Sequence, residues 1–244
     1  MLRNTTHPRR GFFVTGTDTG VGKTVISGAI VTVMHSLGLS PGVMKPIESG
    51  CRRREGYLMP QDGLFLKRLA RMDDPITDIT PVRYSKPLAP LAASELEERP
   101  VRLSLIRKAF ARLSQKYDAV VAEGIGGLMV PVAKDYFVID LAGEFGMPLI
   151  IVSKPGLGTL NHTLLSVESA LKRGLEVAGV IINFSTSPER SIAEKTNVEL
   201  LGRILPVPLM GTFPYLSKLS RKSLRETALK NIDIDLIKKY IVYR

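Results

Sequence analysis

Lys23 and Thr24 close a short glycine-bearing stretch, Gly16-Thr17-Asp18-Thr19-Gly20-Val21-Gly22-Lys23-Thr24, whose residue types suit the holding of phosphate. Glycines let successive backbone N–H groups turn toward an anion. A helix opening at this point adds unsatisfied N–H donors and the positive end of its dipole. The Lys23 ammonium reaches terminal phosphate oxygens as a point charge, and the Thr24 hydroxyl is the hard oxygen ligand that Mg²⁺ prefers. The usual spacing puts the first glycine where this chain has Thr17; Gly16 lies one residue earlier, so the loop is a variant. An ordinary glycine-rich turn is the alternative, and Gly-Lys-Thr between an apolar strand and a helix favours phosphate.

Two further groups carry chemistry. Lys45-Pro46-Ile47-Glu48-Ser49-Gly50 follows a second apolar run. A lysine there can neutralise charge on a transferring phosphoryl group, and Ser49 can hydrogen-bond a polar substrate. Taken alone, Lys45 reads equally well as a solvated loop residue. Glu123-Gly124-Ile125-Gly126-Gly127 ends a buried run, where phosphate-handling enzymes place a metal-binding carboxylate. A turn-capping role is the alternative for Glu123. Asp62 reads as well as a helix N-cap, and Asp18 as a turn former. The single cysteine, Cys51, excludes an intrachain disulfide and any multi-cysteine metal site, and reads as an incidental loop residue. His7, His35 and His162 have no metal-ligand spacing, and His35 falls late in a predicted helix.

These residues need a frame, and the apolar pattern supplies one. Short apolar runs at 12–15, 43–44, 119–122, 149–152, 177–182 and 209–213 read as buried strands. Between them lie helical spacings. Val25, Ile26, Ala29, Ile30, Val33, Met34 and Leu37 form one, ended by Gly38 and Pro41-Gly42. Leu103, Ile106, Phe110, Leu113 and Tyr117 form another, and Leu160, Leu164, Val167 and Leu171 a third. Helices are also expected near 62–71, 89–97, 192–201 and 232–240, with an irregular stretch over 47–100 and a basic tail from Leu216. Wholly apolar strands alternating with helices predict an α/β protein, a P-loop NTPase-like three-layer fold with a mainly parallel central sheet. No repeat, low-complexity tract or linker interrupts it, so one domain is expected over 1–244. In such sheets ligands sit outside the carboxyl ends of the strands, which is where the three groups fall.

The net charge is +11, with clusters at Arg9-Arg10, Arg52-Arg53-Arg54 and 218–230. No tryptophan and no nucleic-acid-binding motif accompanies them, which favours solvated surface charge over a nucleic-acid partner. No apolar run approaches the roughly 20 residues of a membrane span. The polar, basic start of the chain is followed by no signal-peptide core. A soluble cytoplasmic protein, without a membrane partner, is the expectation.

The ordered set is more specific than any one group. The loop from Thr15 to Thr24, then Lys45-Pro46 with Ser49-Gly50, Asp62, Glu123-Gly124 with Gly126-Gly127, Asn161-His162, Asn183, and Gly211 with Pro214 resembles the dethiobiotin synthase family from about Phe12 to Leu216. The resemblance implies a Mg²⁺- and ATP-dependent ligase that joins 7,8-diaminononanoate and CO₂ into a cyclic urea, releasing ADP and phosphate. It implies that Lys23 and Lys45 stabilise the transferring phosphoryl and the carbamate, and that Thr24, Asp62 and Glu123 hold Mg²⁺. It implies nucleotide contacts from Gly20, Val21, Gly22, Lys23, Thr24, Val25, Glu123, Gly124, Ile125 and Gly126. It places adenine near Asn183, Phe184, Pro214, Tyr215 and Leu216. Thr19 and Ser49 would contact the diamine, and Asn161 its tail carboxylate across a homodimer interface. Thr212 departs from the pattern, standing where family members often carry an acid.

Three other readings use a similar loop. A cobyrinate-type amide-forming synthase would need a glutamine-hydrolysing domain, for which the chain has no room and no cysteine pattern. A partitioning ATPase would suit the basic charge but leaves Lys45-Pro46-Ile47-Glu48-Ser49-Gly50 without a role. A non-enzymatic nucleotide-binding module would bind without turnover.

Overall fold

Phe12 and Phe13 are neighbours on one strand and therefore point to opposite faces of its sheet. Phe12 meets Tyr240 edge-on and Phe13 meets Phe145 edge-on, each with ring centroids 5.8 Å apart. Both faces of the sheet are thus covered. The computed structural model describes residues 10–185 and 191–241. His7, Arg9 and the basic start of the chain lie outside the described residues.

The first strand is β1 (Gly11–Gly16), followed by the phosphate-loop stretch and α1 (Lys23–Ser36). Next come β2 (Pro41–Met44), β3 (Ile47–Glu48), the hairpin of β4 (Arg52–Arg54) and β5 (Tyr57–Met59), and α2 (Gln61–Ala70). Then follow α3 (Ile76–Ile79), β6 (Val82–Arg83), α4 (Pro90–Leu96) and α5 (Leu103–Lys116). Strand β7 (Ala119–Gly127), the small pair β8 (Pro131–Ala133) and β9 (Tyr136–Phe137), and α6 (Val138–Phe145) lead to β10 (Leu149–Ser153). The chain continues through α7 (Thr159–Lys172), β11 (Val177–Asn183), α8 (Ile192–Ile204), β12 (Leu209–Phe213), α9 (Arg221–Asn231) and α10 (Ile234–Ile241).

Six strands form one sheet in the order β12-β11-β10-β1-β7-β2, and every neighbouring pair in it is parallel. The expected parallel sheet with helices on both faces is what the chain forms. Strand β1 sits inside it, with β7 on one side and β10 on the other; the connection after β1 runs toward β2 on one side, whereas that after β10 runs toward β11 on the other. A crevice opens at such a switch point. The phosphate loop leaves β1 there, and β7 delivers Glu123 beside Val14, its registered partner.

The structure departs from the sequence expectations at several points, among them the β8–β9 pair and α6, which those expectations did not include. Strand β7 does not stop at Glu123 but runs on to Gly127, which pairs with Gly16 of β1 beyond a register shift. The stretch 47–100 is not irregular throughout. It holds the parallel β3–β6 pair, the β4–β5 hairpin and α3 besides the two expected helices. The Arg52-Arg53-Arg54 cluster is a hairpin strand rather than a loop. The basic tail contains α9, whose Leu224 and Ala228 are buried one turn apart. Among the described residues, no helix is long and apolar enough to cross a membrane.

Candidate active site

Gly22 sets the geometry of the loop. Its φ of 89° lies in the left-handed region, and a Cβ there would fall 2.0 Å from the Asn183 Nδ2. That amide donates to the Val21 carbonyl at 2.9 Å, so Asn183, at the end of β11, braces the loop from a strand two places away in the sheet. The Asp18 carboxylate accepts from the adjacent Thr19 N–H at 2.7 Å. Lys23 folds back over the loop and donates to the Asp18 carbonyl at 3.0 Å.

Lys45, from the end of β2, and Glu123, from β7, form the centre. The Lys45 Nζ lies 2.5 Å from Glu123 Oε1, 3.1 Å from the Gly124 carbonyl and 3.4 Å from Asp62 Oδ2. The Thr24 hydroxyl donates to the same Glu123 Oε1 at 2.9 Å. The other Glu123 oxygen, Oε2, is buried with no hydrogen-bond partner. A buried acceptor left open in this way costs free energy unless a donor or cation meets it.

The two lysines are poised differently. Burial, then the nearby Lys45 charge, pushes the Lys23 ammonium down to about 8. Burial also works against the Lys45 charge, but Glu123 and Asp62 more than offset it, and its pKa is raised. Lys45 is therefore held in its charged form, whereas Lys23 gives up its proton more readily than an ordinary lysine until an anion joins it.

Asp62 is not the N-cap of its helix. It lies inside the first turn of α2, whose N-cap is Pro60 and has no side-chain cap. Glu48 takes that role from outside the helix: its two carboxylate oxygens accept from the Asp62 N–H at 3.1 Å and the Gly63 N–H at 3.0 Å. A carboxylate is well placed at the positive end of a helix. Burial lifts the Glu48 pKa above its ordinary value, with the two N–H bonds pulling the other way. The sequence reading gave Glu48 no role; its signal was an acid between Lys45 and Ser49 ahead of a helix lacking its own cap. Cys51, placed in a loop by sequence, is buried, and its thiol is pushed up to about 12 by burial and by Glu48, so it is no nucleophile.

A cavity of about 300 Å³ opens over this centre. Thr19, Gly20, Gly22, Lys23, Thr24, Lys45, Ser49, Asp62, Glu123, Ile125 and Gly126 all line it, so most of the residues singled out by sequence converge. Others lie elsewhere. Asn161 is exposed in the first turn of α7 and does not line this cavity. Val21 is buried in the core, and Val25 packs against it from α1. Phe184 is buried beside Ile182 and Leu201. Pro214, Tyr215 and Leu216 follow β12, with Tyr215 46% exposed and able to meet a ligand. Thr212, on β12, pairs with Ile182.

A parallel sheet, a glycine-bearing loop running into α1, and a lysine and threonine opening that helix define a P-loop nucleotide-binding protein. The fold agrees with solved structures of that class. The septum site-determining protein MinD from Pyrococcus horikoshii, complexed with Mg-ADP, superposes with a TM-score of 0.51 at 18% identity, covering 94% of this chain and 95% of that one. A ParA family ATPase from Chlorobium tepidum gives 0.51 at 13% identity, covering 96% and 98%. A family model described as an AAA domain matches residues 10–223. Sequence relatives narrow the class. The ATP-dependent dethiobiotin synthetase BioD of Thermodesulfovibrio yellowstonii is 45% identical over 94% of this chain and 98% of its own length. That of Bacillus subtilis strain 168 is 38% identical over 93% and 97%. The chain belongs to the ATP-dependent dethiobiotin synthetase family.

Proposed function

We propose that this protein is an ATP-dependent dethiobiotin synthase of biotin biosynthesis, a ligase that closes the ureido ring on 7,8-diaminononanoate with CO₂. One amine adds to CO₂ and loses a proton, giving a carbamate. The γ-phosphoryl group of ATP passes to a carbamate oxygen, its bond to ADP breaking as the new P–O bond forms. The second amine then attacks the carbamoyl carbon, closing the C–N bond and expelling phosphate. Phosphoryl transfer asks a protein for position and charge rather than covalent help. The observation that carries the reading is the convergence of Lys23, Lys45, Thr24, Asp62 and Glu123 on one cavity, which Thr19 and Ser49 also line.

Lys23 and the loop amides hold the phosphates in this account, and Lys45 meets the carbamate and the transferring phosphoryl. Thr19 and Ser49 contact the diamine. Asn183, Phe184, Pro214, Tyr215 and Leu216 surround adenine, and Gly124 with its neighbours lies against the nucleotide. The open Glu123 Oε2, with the Thr24 hydroxyl and the Asp62 carboxylate beside it, is a hard-oxygen set that fits Mg²⁺. Among the described residues, no group of three or more His, Cys, Asp or Glu is placed to hold a metal, which suits an ion that takes its remaining ligands from phosphates and water. When bound, Mg²⁺ neutralises the phosphate charge. Asn161, exposed on α7, suits a role toward the substrate's tail carboxylate in the site of a partner subunit, in a homodimer of single-domain cytoplasmic chains.

Incubation with MgATP, bicarbonate and 7,8-diaminononanoate tests the reading. It predicts diamine-dependent release of phosphate and a product heavier than the diamine by CO₂ less water. Phosphate release indifferent to the diamine would contradict it.

A further inference from the structure

A second cavity, of about 490 Å³, lies at the other end of α1. Its walls carry Arg71, Arg221, Lys222 and Arg225, together with His35 and Ser36. Three elements bring them together: the last turn of α1, the residue that ends α2, and the first turns of α9. Helix α1 has 14 residues. At about 1.5 Å per residue its far end is about 20 Å from the phosphate loop. The two cavities share no lining residue.

The charge here is one-sided. Among the described residues, none of the four cations forms an ion pair with a carboxylate. Arg221 and Arg225 stand one helical turn apart, a spacing at which like charges repel. They also sit at the positive end of α9, whose first turn has no acid. Arg221 is drawn inward, its Nη1 donating to the Leu69 carbonyl at 2.6 Å. Burial, then Arg71 and Arg225, lower its pKa, which records the same repulsion. The frame that holds the cations is firm. A Cβ at Gly28 of α1 would fall 2.5 Å from Leu69 and 3.6 Å from Leu224, so α1, α2 and α9 are in close contact. Three guanidinium groups and one ammonium around a cavity, with Arg71, Lys222 and Arg225 exposed and none of the four in an ion pair with a carboxylate among the described residues, are stabilised by an anion with several oxygens.

We propose that this cavity is a binding site for a small, multiply charged phosphate anion of the polyphosphate class, separate from the phosphate loop. Guanidinium groups from α2 and α9 would grip its oxygens, and the α9 N-terminus would add its dipole. The site uses the far end of the helix whose first residues form the phosphate loop.

Tripolyphosphate is the probe, titrated calorimetrically into the full chain with the phosphate loop already filled by MgADP. Lys222→Gln/Arg225→Gln changes two exposed side chains. One tripolyphosphate should bind per chain, and the double variant should weaken it by about tenfold or more while leaving MgADP affinity unchanged. No binding in the presence of MgADP would overturn the proposal. So would equal affinity in the double variant, or a preference for duplex DNA over tripolyphosphate.

Discussion

Lys45 and Glu123, 78 residues apart in sequence, meet at 2.5 Å in the cavity beside the phosphate loop. The parallel pairing of β2 with β7 makes this possible: Met44 registers against Ala122, so the next residue of each strand emerges at the same edge. The pair holds a cation beside a carboxylate whose second oxygen is open.

Lys45→Ala removes the positive charge proposed to meet the carbamate and leaves Glu123 short of its main partner. Loss of one well-placed electrostatic stabiliser costs about 10²–10³ in kcat. Steady-state kinetics should show that fall, with MgADP affinity changed far less. A variant with undiminished kcat would remove Lys45 from the chemistry.

Lys23 gives a pH signature. Its pKa is pushed down to about 8 in the free protein, and a bound polyphosphate favours the charged form. Nucleotide binding should take up protons above neutrality, and affinity should weaken as pH rises through about 8. Calorimetry in buffers of different ionisation enthalpy reads the uptake directly. Binding without proton uptake near that pH would contradict the assignment.

Glu48→Ala removes the outside cap of α2 and leaves the N–H groups of Asp62 and Gly63 without acceptors. Loss of a cap costs about 1–2 kcal/mol, which urea unfolding should detect. Asp62 loses its anchorage as well, so the Mg²⁺ dependence of nucleotide binding should shift to higher metal concentration. A change in stability alone would make Glu48 structural only.

Gly22 and Asn183 form a testable pair. Gly22→Ala places a methyl group where the Asn183 amide lies and strains a φ of 89°. It should weaken nucleotide binding by more than about tenfold without unfolding the chain. Asn183→Ala clears that space, so the two substitutions should not add, with a coupling of about 0.5–3 kcal/mol in a double-mutant cycle. Strict additivity would mean that the brace does not shape the loop.

Much of the site was legible because its residues stand at the carboxyl ends of strands, and wholly apolar strands are easy to locate. Lys45 was read from the residue after β2, Glu123 from an apolar run that β7 continues to Gly127, and Lys23 and Thr24 from the loop that carries β1 into α1. What escaped has physical causes. Strands β3 and β6 have two residues each, too few to carry a period of two. Helix α6 has eight residues, too few for a helical spacing to stand out from a strand-like apolar run. Helix α9 buries only Leu224 and Ala228, which its many basic residues hide. The Glu48 cap joins residues across a hairpin, and the bracing of Val21 by Asn183 spans 162 positions, so local spacing records neither.

In the proposed reaction the γ-phosphoryl passes to a carbamate oxygen between Lys23 and Lys45. Single-turnover reaction with freshly dissolved heavy-oxygen-labelled bicarbonate, 7,8-diaminononanoate and MgATP tests it most directly, read by mass spectrometry of the released phosphate. Phosphate should carry one oxygen from the bicarbonate, and Lys45→Ala should slow its appearance. Unlabelled phosphate released alongside the cyclic urea would contradict it.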